Sequence, residues 1–210
     1  METRVVVGLG NPGPDYAGTR HNVGFAVAHL LADRLGAGPY ETTRTYASWS
    51  ARLGGGAGSP EAGRSLVLLT PLTFMNLSGR ALEEYRERHG LEVEQVLVVV
   101  DDIYLPLGQV RLRARGGDGG HNGLASLEQG LGTDAYARLR VGVGEAGDGQ
   151  QLVDHVLSGF APEEEEALAA ALDAACEASL LWAREGIVAG MNRFNARPRP
   201  VRENAPEGER

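Results

Sequence analysis

One histidine, one aspartate and three asparagines stand where an α/β chain would carry chemistry. His21 and Asn11 lie in residues 8–22, a segment dense in Gly and Pro that follows the β-branched run Val5-Val6-Val7. Asn76 lies in a second irregular insert, residues 71–78, and Asn122 in a third, residues 116–123. Asp101 closes the apolar run 96–100. Rigid polar loops at strand ends are where such proteins assemble sites. His21, at a helix entrance, reads either as a functional imidazole or as a capping and packing residue. Asp101 reads either as the partner of a base or cation or as a turn aspartate. Each asparagine alone fits a turn, because Asn tolerates left-handed backbone; three such loops meeting at one sheet edge would form a site. No Ser sits in a G-x-S-x-G elbow, and Cys176 lies in a helical pattern among acids, poorly placed to be a thiolate. The set points to a water activated by histidine, not to a covalent nucleophile.

Two rival chemistries fail on spacing. Gly8-Leu9-Gly10-Asn11-Pro12-Gly13 fits the dinucleotide pattern, in which a helix opens within the glycines and aims its amides at a pyrophosphate. Here Pro12 lacks an amide hydrogen, Pro14 and Gly18 postpone the helix to Val23, and no acid closes a second strand about 20 residues on. For a metal, no two of His21, His29, His89, His121 and His155 show the i, i+4 spacing of a helical zinc site, and Cys176 has no cysteine partner. His29, His89 and His155 fall within or beside helical patterns and read as structural or surface residues.

The elements that must hold these residues read as α/β. Strands are expected at 3–7, 42–53, 65–70, 96–100, 110–115 and 139–143, with 42–70 forming a hairpin around a Gly-rich turn at 54–63. Helical spacing from Val23 stops at Gly36, a second helix stops at Gly90, a third covers 124–131, and Pro162 with four glutamates starts a long C-terminal helix. The alternation predicts a single domain over 1–195, a mixed central sheet covered by helices on both faces, and a polar, disordered tail over 196–210.

Composition bounds the partners. The chain of 210 residues is 42% hydrophobic and 23% charged, an ordinary soluble composition. It has no membrane-length apolar run, no signal-peptide layout and one cysteine, which together predict cytoplasmic residence. A net charge of -8 argues against nucleic acid only on average. Residues 105–144 carry five Arg against three acids, while 145–186 carry ten acids against Arg184 alone. Every basic residue is Arg, most simply a compositional bias.

Several blocks together carry a resemblance. Gly8-Leu9-Gly10-Asn11-Pro12-Gly13, Tyr16, Thr19-Arg20-His21-Asn22-Val23-Gly24, Thr73-Phe74-Met75-Asn76-Leu77-Ser78-Gly79, Gly119-Gly120-His121-Asn122-Gly123-Leu124 and Arg138-Leu139-Arg140-Val141-Gly142-Val143-Gly144 resemble, in order, the bacterial peptidyl-tRNA hydrolase family. The resemblance spans residues 3–194 and implies a monomeric, cytoplasmic esterase without metal or cofactor. Its substrate would be peptidyl-tRNA, cleaved at the ester joining the peptide to the tRNA 3′ end, so that tRNA from prematurely released chains is recycled. By resemblance, His21 activates water, Asp101 orients His21, and Asn11 discriminates a blocked from a free aminoacyl nitrogen. Tyr16, Phe74, Asn76 and Asn122 would bind the peptide and the tRNA 3′ terminus, and Arg111, Arg113 and Arg138 would contact phosphates. The family commonly has lysines where Arg111 and Arg113 stand, and an acid where Tyr104 stands. The alternative from another class is an RNA-binding homologue of the same fold that has lost catalysis.

Overall fold

The computed structural model describes residues 2–54, 64–147 and 149–195. Apart from Gly54, the expected Gly-rich turn lies outside the described residues, as does the expected tail. The strands are β1 (Glu2–Gly8), β2 (Gly38–Thr42), β3 (Tyr46–Leu53), β4 (Arg64–Pro71), β5 (Val96–Asp102), β6 (Val110–Arg113) and β7 (Ala137–Gly142). They form one sheet in the order β2-β3-β4-β1-β5-β7-β6. β4, β1, β5 and β7 run parallel, while β2, β3 and β6 supply the antiparallel pairings that make the sheet mixed.

Val5, Val6 and Val7 of β1 and Val96 to Val100 of β5 are fully buried. Unbroken β-branched runs of this kind belong to central parallel strands covered on both faces. One face packs against α1 (Val23–Leu35) and α5 (Glu165–Glu185), with Met191 and Phe194 of α6 (Ile187–Phe194) at its edge. The other packs against α2 (Ser78–His89) and α3 (Asn122–Leu131). A short helix, α4 (Leu152–Val156), follows β7. Gly36 and Gly90 end α1 and α2 in the left-handed conformation, φ 57° and 64°, where glycine avoids the Cβ cost.

Three expectations change. The strand expected over 42–53 begins only at Tyr46, because Thr43 Oγ1 accepts the amides of Thr45 and Tyr46 and forms a turn. The residues before that turn form β2, an edge strand with little burial pattern to betray it. The strand at 110–115 stops at Arg113, and the C-terminal helical region divides at Gly186 into α5 and α6.

Topology places the chemistry. Because β4, β1 and β5 are parallel neighbours, the loops after β1 and β4 emerge beside the end of β5. His21, Asn76 and Asp101 are thereby delivered to one edge.

Candidate active site

The loop after β1 is a built platform. Asn11 and Asn22 close it: the Asn11 amide donates to Asn22 Oδ1 at 2.8 Å, and Asn22 Nδ2 donates to the Asn11 carbonyl at 2.9 Å. A 3₁₀ turn, Arg20–Asn22, carries His21 immediately before α1. The glycines head only a 3₁₀ turn, Pro14–Tyr16, and no α-helix, so the dinucleotide arrangement is absent from this loop. α1 approaches so closely that a Cβ at Gly24 would lie 2.5 Å from the backbone of Leu9.

The second loop docks on the first. The Met75 amide donates to Asn11 Oδ1 at 2.8 Å. A backbone N–H is an obligate donor, so this bond orients the Asn11 amide and leaves Nδ2 as a donor group with no hydrogen bond among the described residues. Phe74, 54% exposed, meets Tyr16 edge-on with ring centroids 6.2 Å apart. Asn76 and Asn122 are exposed at the cleft lip.

Asp101 is the centre. Its Oδ1 lies 2.9 Å from His21 Nδ1 and 3.0 Å from His121 Nε2. His121 Nδ1 accepts the amides of Gly123 and Leu124 and so caps α3. With Nδ1 an acceptor, the neutral His121 ring carries its proton on Nε2 and donates to Asp101. His21 Nδ1–H is then the second donor, and His21 Nε2 is left as the ring's proton acceptor. Burial opposes ionisation of Asp101, but the hydrogen bonds from His121 and His21 outweigh it and hold the carboxyl well below the usual carboxylate range. His21, Asp101 and His121 are also, by donor type, a set that could ligate a metal ion. Any such ion would have to displace both hydrogen bonds to Oδ1.

His121 is the cleft residue that sequence reading passed over. Its signal was its place beside Asn122 in the third glycine-dense loop. That loop does not arrive as the other two do. β6 runs antiparallel to β7, so it ends at the far edge, with Arg113 opposite Arg138. The chain must return across the sheet to bring His121 to Asp101. Arg138 and Arg140 guide it, both donating to the Gly117 carbonyl, at 3.2 and 3.3 Å.

Arg138 therefore corrects an expectation. It is fully buried and donates also to the Asp134 carbonyl, with its guanidinium 4.3 Å from the Tyr136 ring centroid. Its guanidinium lies 3.6 Å from Glu128 of α3 and forms the floor of the groove described next, with no surface of its own exposed to a phosphate. Arg111 and Arg113 are exposed on the edge strand, flanking buried Leu112. With Arg115 and Arg140 they line a groove of about 290 Å³. Asp102 and Arg140 are shared between this groove and the central cleft.

The cleft, about 640 Å³, has one polar wall of Asn11, His21, Asn76 and Asn122. Its lining also includes Ile103, Tyr104, Leu152, Val153, Val156 and Leu157, which are apolar or aromatic. Tyr104 is 73% exposed and its amide is held by Asp102 Oδ1. The remaining histidines lie elsewhere: His29 is exposed against Trp49, His89 pairs with Glu41, and buried His155 bonds the Gly144 carbonyl. Cys176 is buried in α5, and burial pushes its thiol up to about 11.

The chain as a whole is similar to known proteins. The peptidyl-tRNA hydrolase family profile matches residues 5–203. A peptidyl-tRNA hydrolase of Synechococcus sp. (strain JA-2-3B'a(2-13)) is 47% identical over 195 residues, covering 93% of this chain and 84% of the relative. One from Halalkalibacterium halodurans is 41% identical over 192 residues, covering 91% of this chain and the whole of the relative. The crystal structure of a point mutant of peptidyl-tRNA hydrolase from Acinetobacter baumannii superposes with a TM-score of 0.82 at 32% identity, covering 93% of this chain and 95% of that one. The chain is thus similar in sequence and in fold to these hydrolases over nearly its whole length, and it belongs to the peptidyl-tRNA hydrolase family.

Proposed function

We propose that the protein hydrolyses the ester between a peptide, or an N-blocked amino acid, and the 3′ end of tRNA, using a water activated by His21. The carrying observation is the shared acceptor: Asp101 Oδ1 takes hydrogen bonds from both His21 and His121, at 2.9 and 3.0 Å. A proton taken by His21 Nε2 makes an imidazolium facing a buried carboxylate. A proton added to His121 Nδ1 would instead face two backbone N–H groups. The base is therefore His21.

Asn11 Nδ2 supplies selectivity. A donor there matches the acyl oxygen of a blocked nitrogen, whereas a free α-ammonium offers no such acceptor. Asn76 and Asn122 supply amide donors at the lip for the developing oxyanion. General base catalysis supplies about 10²- to 10⁴-fold, and orientation of the ester supplies much of the remainder. An ester is more readily hydrolysed than an amide, so neither an acyl-enzyme nor a metal is required by the reaction. Tyr16 and Phe74 flank the 3′ terminus, and Arg111 and Arg113 hold the phosphates of the acceptor stem. In this reading the protein acts in the cytoplasm as a monomer and recycles tRNA. Among the described residues, no helix is long and apolar enough to cross a membrane.

The test compares N-acetyl-aminoacyl-tRNA with free aminoacyl-tRNA, with and without EDTA. Release from the blocked substrate alone, unchanged by EDTA, is expected. No release sinks the reading and favours the RNA-binding alternative, whereas equal release from both sinks it in favour of an unselective esterase. His21→Ala should remove turnover while tRNA binding persists.

A further inference from the structure

A residue outside the cleft ties the base to the cleft's apolar wall. Arg20 precedes His21 and is 7% exposed. Its backbone amide donates to the Ser158 carbonyl at 2.9 Å, next to an isolated bridge between Thr19 and Gly159. Its guanidinium donates to the Val143 carbonyl at 2.8 Å and to Glu164 Oε2 at 2.7 Å, and lies 4.5 Å from the Phe160 ring centroid. Nε is buried without a partner among the described residues. Glu164 is itself fixed, with Oε2 also accepting the Ala161 amide; the Arg20 hydrogen bond is the main cause holding its carboxyl below the usual range.

The anchor joins three places. Val143 follows β7, Glu164 precedes α5, and the stretch 158–160 continues directly from α4 and Leu157, where Leu152, Val153, Val156 and Leu157 line the same cleft as His21. The turn that carries His21 is thus bonded both to Asp101 and to the segment that continues from the cleft's apolar lining. A buried guanidinium with one unsatisfied donor is a costly way to obtain packing alone. A fork that reaches a carbonyl and a carboxylate at once is a task for arginine and not for lysine.

We propose that Arg20 is a positioning residue, holding the His21 turn and the 157–164 segment at a fixed separation so that an ester lying along the apolar wall meets the His21 base in attacking geometry. The inference rests on the hydrolase reading above. Arg20 touches neither substrate nor reacting atoms, so its loss should act on turnover and not on tRNA affinity.

The test uses Arg20→Lys, Glu164→Ala and the double variant, assayed on N-acetyl-aminoacyl-tRNA. Binding stoichiometry with uncharged tRNA counts the folded sites, so that kcat is expressed per competent site. A misplacement of about 1 Å can cost about 10²-fold, and each single variant is expected to lower kcat at least about tenfold with KM within about twofold. The double variant should be no worse than Arg20→Lys, because both changes break one linkage. Kinetic values within about twofold of the parent for both single variants, or a rise in KM alone, overturn the proposal. If Arg20→Lys does not fold, Glu164→Ala decides on the same criterion. A parent enzyme that releases nothing would instead overturn the hydrolase reading, whatever the variants do.

Discussion

At the scale of the residue, the site turns on one oxygen. Asp101 Oδ1 accepts from two imidazoles, and each imidazole is made distinct by what its other nitrogen meets. His121 is tied to the start of α3, while His21 keeps Nε2 for chemistry. The same carboxylate links the site to acid stability. Its folded pKa lies below the value of about 3.9 expected in the unfolded chain, so between those values the unfolded state binds more protons. The stabilisation is complete above about pH 4 and is lost as pH falls through the folded value. Urea unfolding of the parent and of Asp101→Asn, at about pH 6 and about pH 3, should show a smaller acid loss in the variant. Equal losses would mean that other carboxylates dominate.

At the scale of the element, the cleft depends on how closely two helices approach. α2 starts just after Asn76 and α3 starts at Asn122, so their separation sets the distance between these two side chains. A Cβ at Gly79 would lie 2.1 Å from the Ser126 carbonyl oxygen, and the Gly79 amide donates to Ser126 Oγ at 3.0 Å. The obstacle is backbone, which cannot swing aside. Gly79→Ala should therefore cost about 1–3 kcal/mol of stability by overpacking. It should also lower turnover at temperatures where the variant is still folded, because the helices must part. Thermal unfolding alongside kcat checks both; a variant matching the parent in each would show that α2 shifts without consequence. Gly79 stands in a block read for its likeness to a family, and its mechanical reason emerges only when α3 is placed against it.

At the scale of the whole molecule, charge is segregated. The chain carries a net charge of -8, yet Arg111, Arg113, Arg115 and Arg140 line one groove that opens towards the cleft. The acid-rich stretch after residue 145 leads into α5, on a different part of the surface. A polyanion is drawn to the local field and not to the average. Replacing Arg111 and Arg113 together by Ala should weaken tRNA binding and reduce the slope of log affinity against log salt by about 1 for each phosphate left without its arginine. An unchanged slope would leave both as ordinary surface charges. Arg138, equally basic in sequence, belongs to the interior and should contribute to folding of the third loop, not to that slope.

The sequence by itself determined what is local. Valine runs marked β1 and β5, glycines marked the ends of α1 and α2, and the prolines at 12 and 14 set aside a nucleotide cradle in favour of a rigid platform. These follow from backbone sterics and hydrophobic periodicity, which act within a few residues. It also marked His21 and Asp101 as candidates, though they stand 80 residues apart. Only the tertiary structure decided the partnerships: that β1 lies between β4 and β5, that the third loop returns over β7 to add His121, that Arg138 is buried and that Arg20 reaches Glu164. Strand order and the covering of each face are collective outcomes of packing, and a side chain's partner is fixed only once the surfaces on either side of it have met.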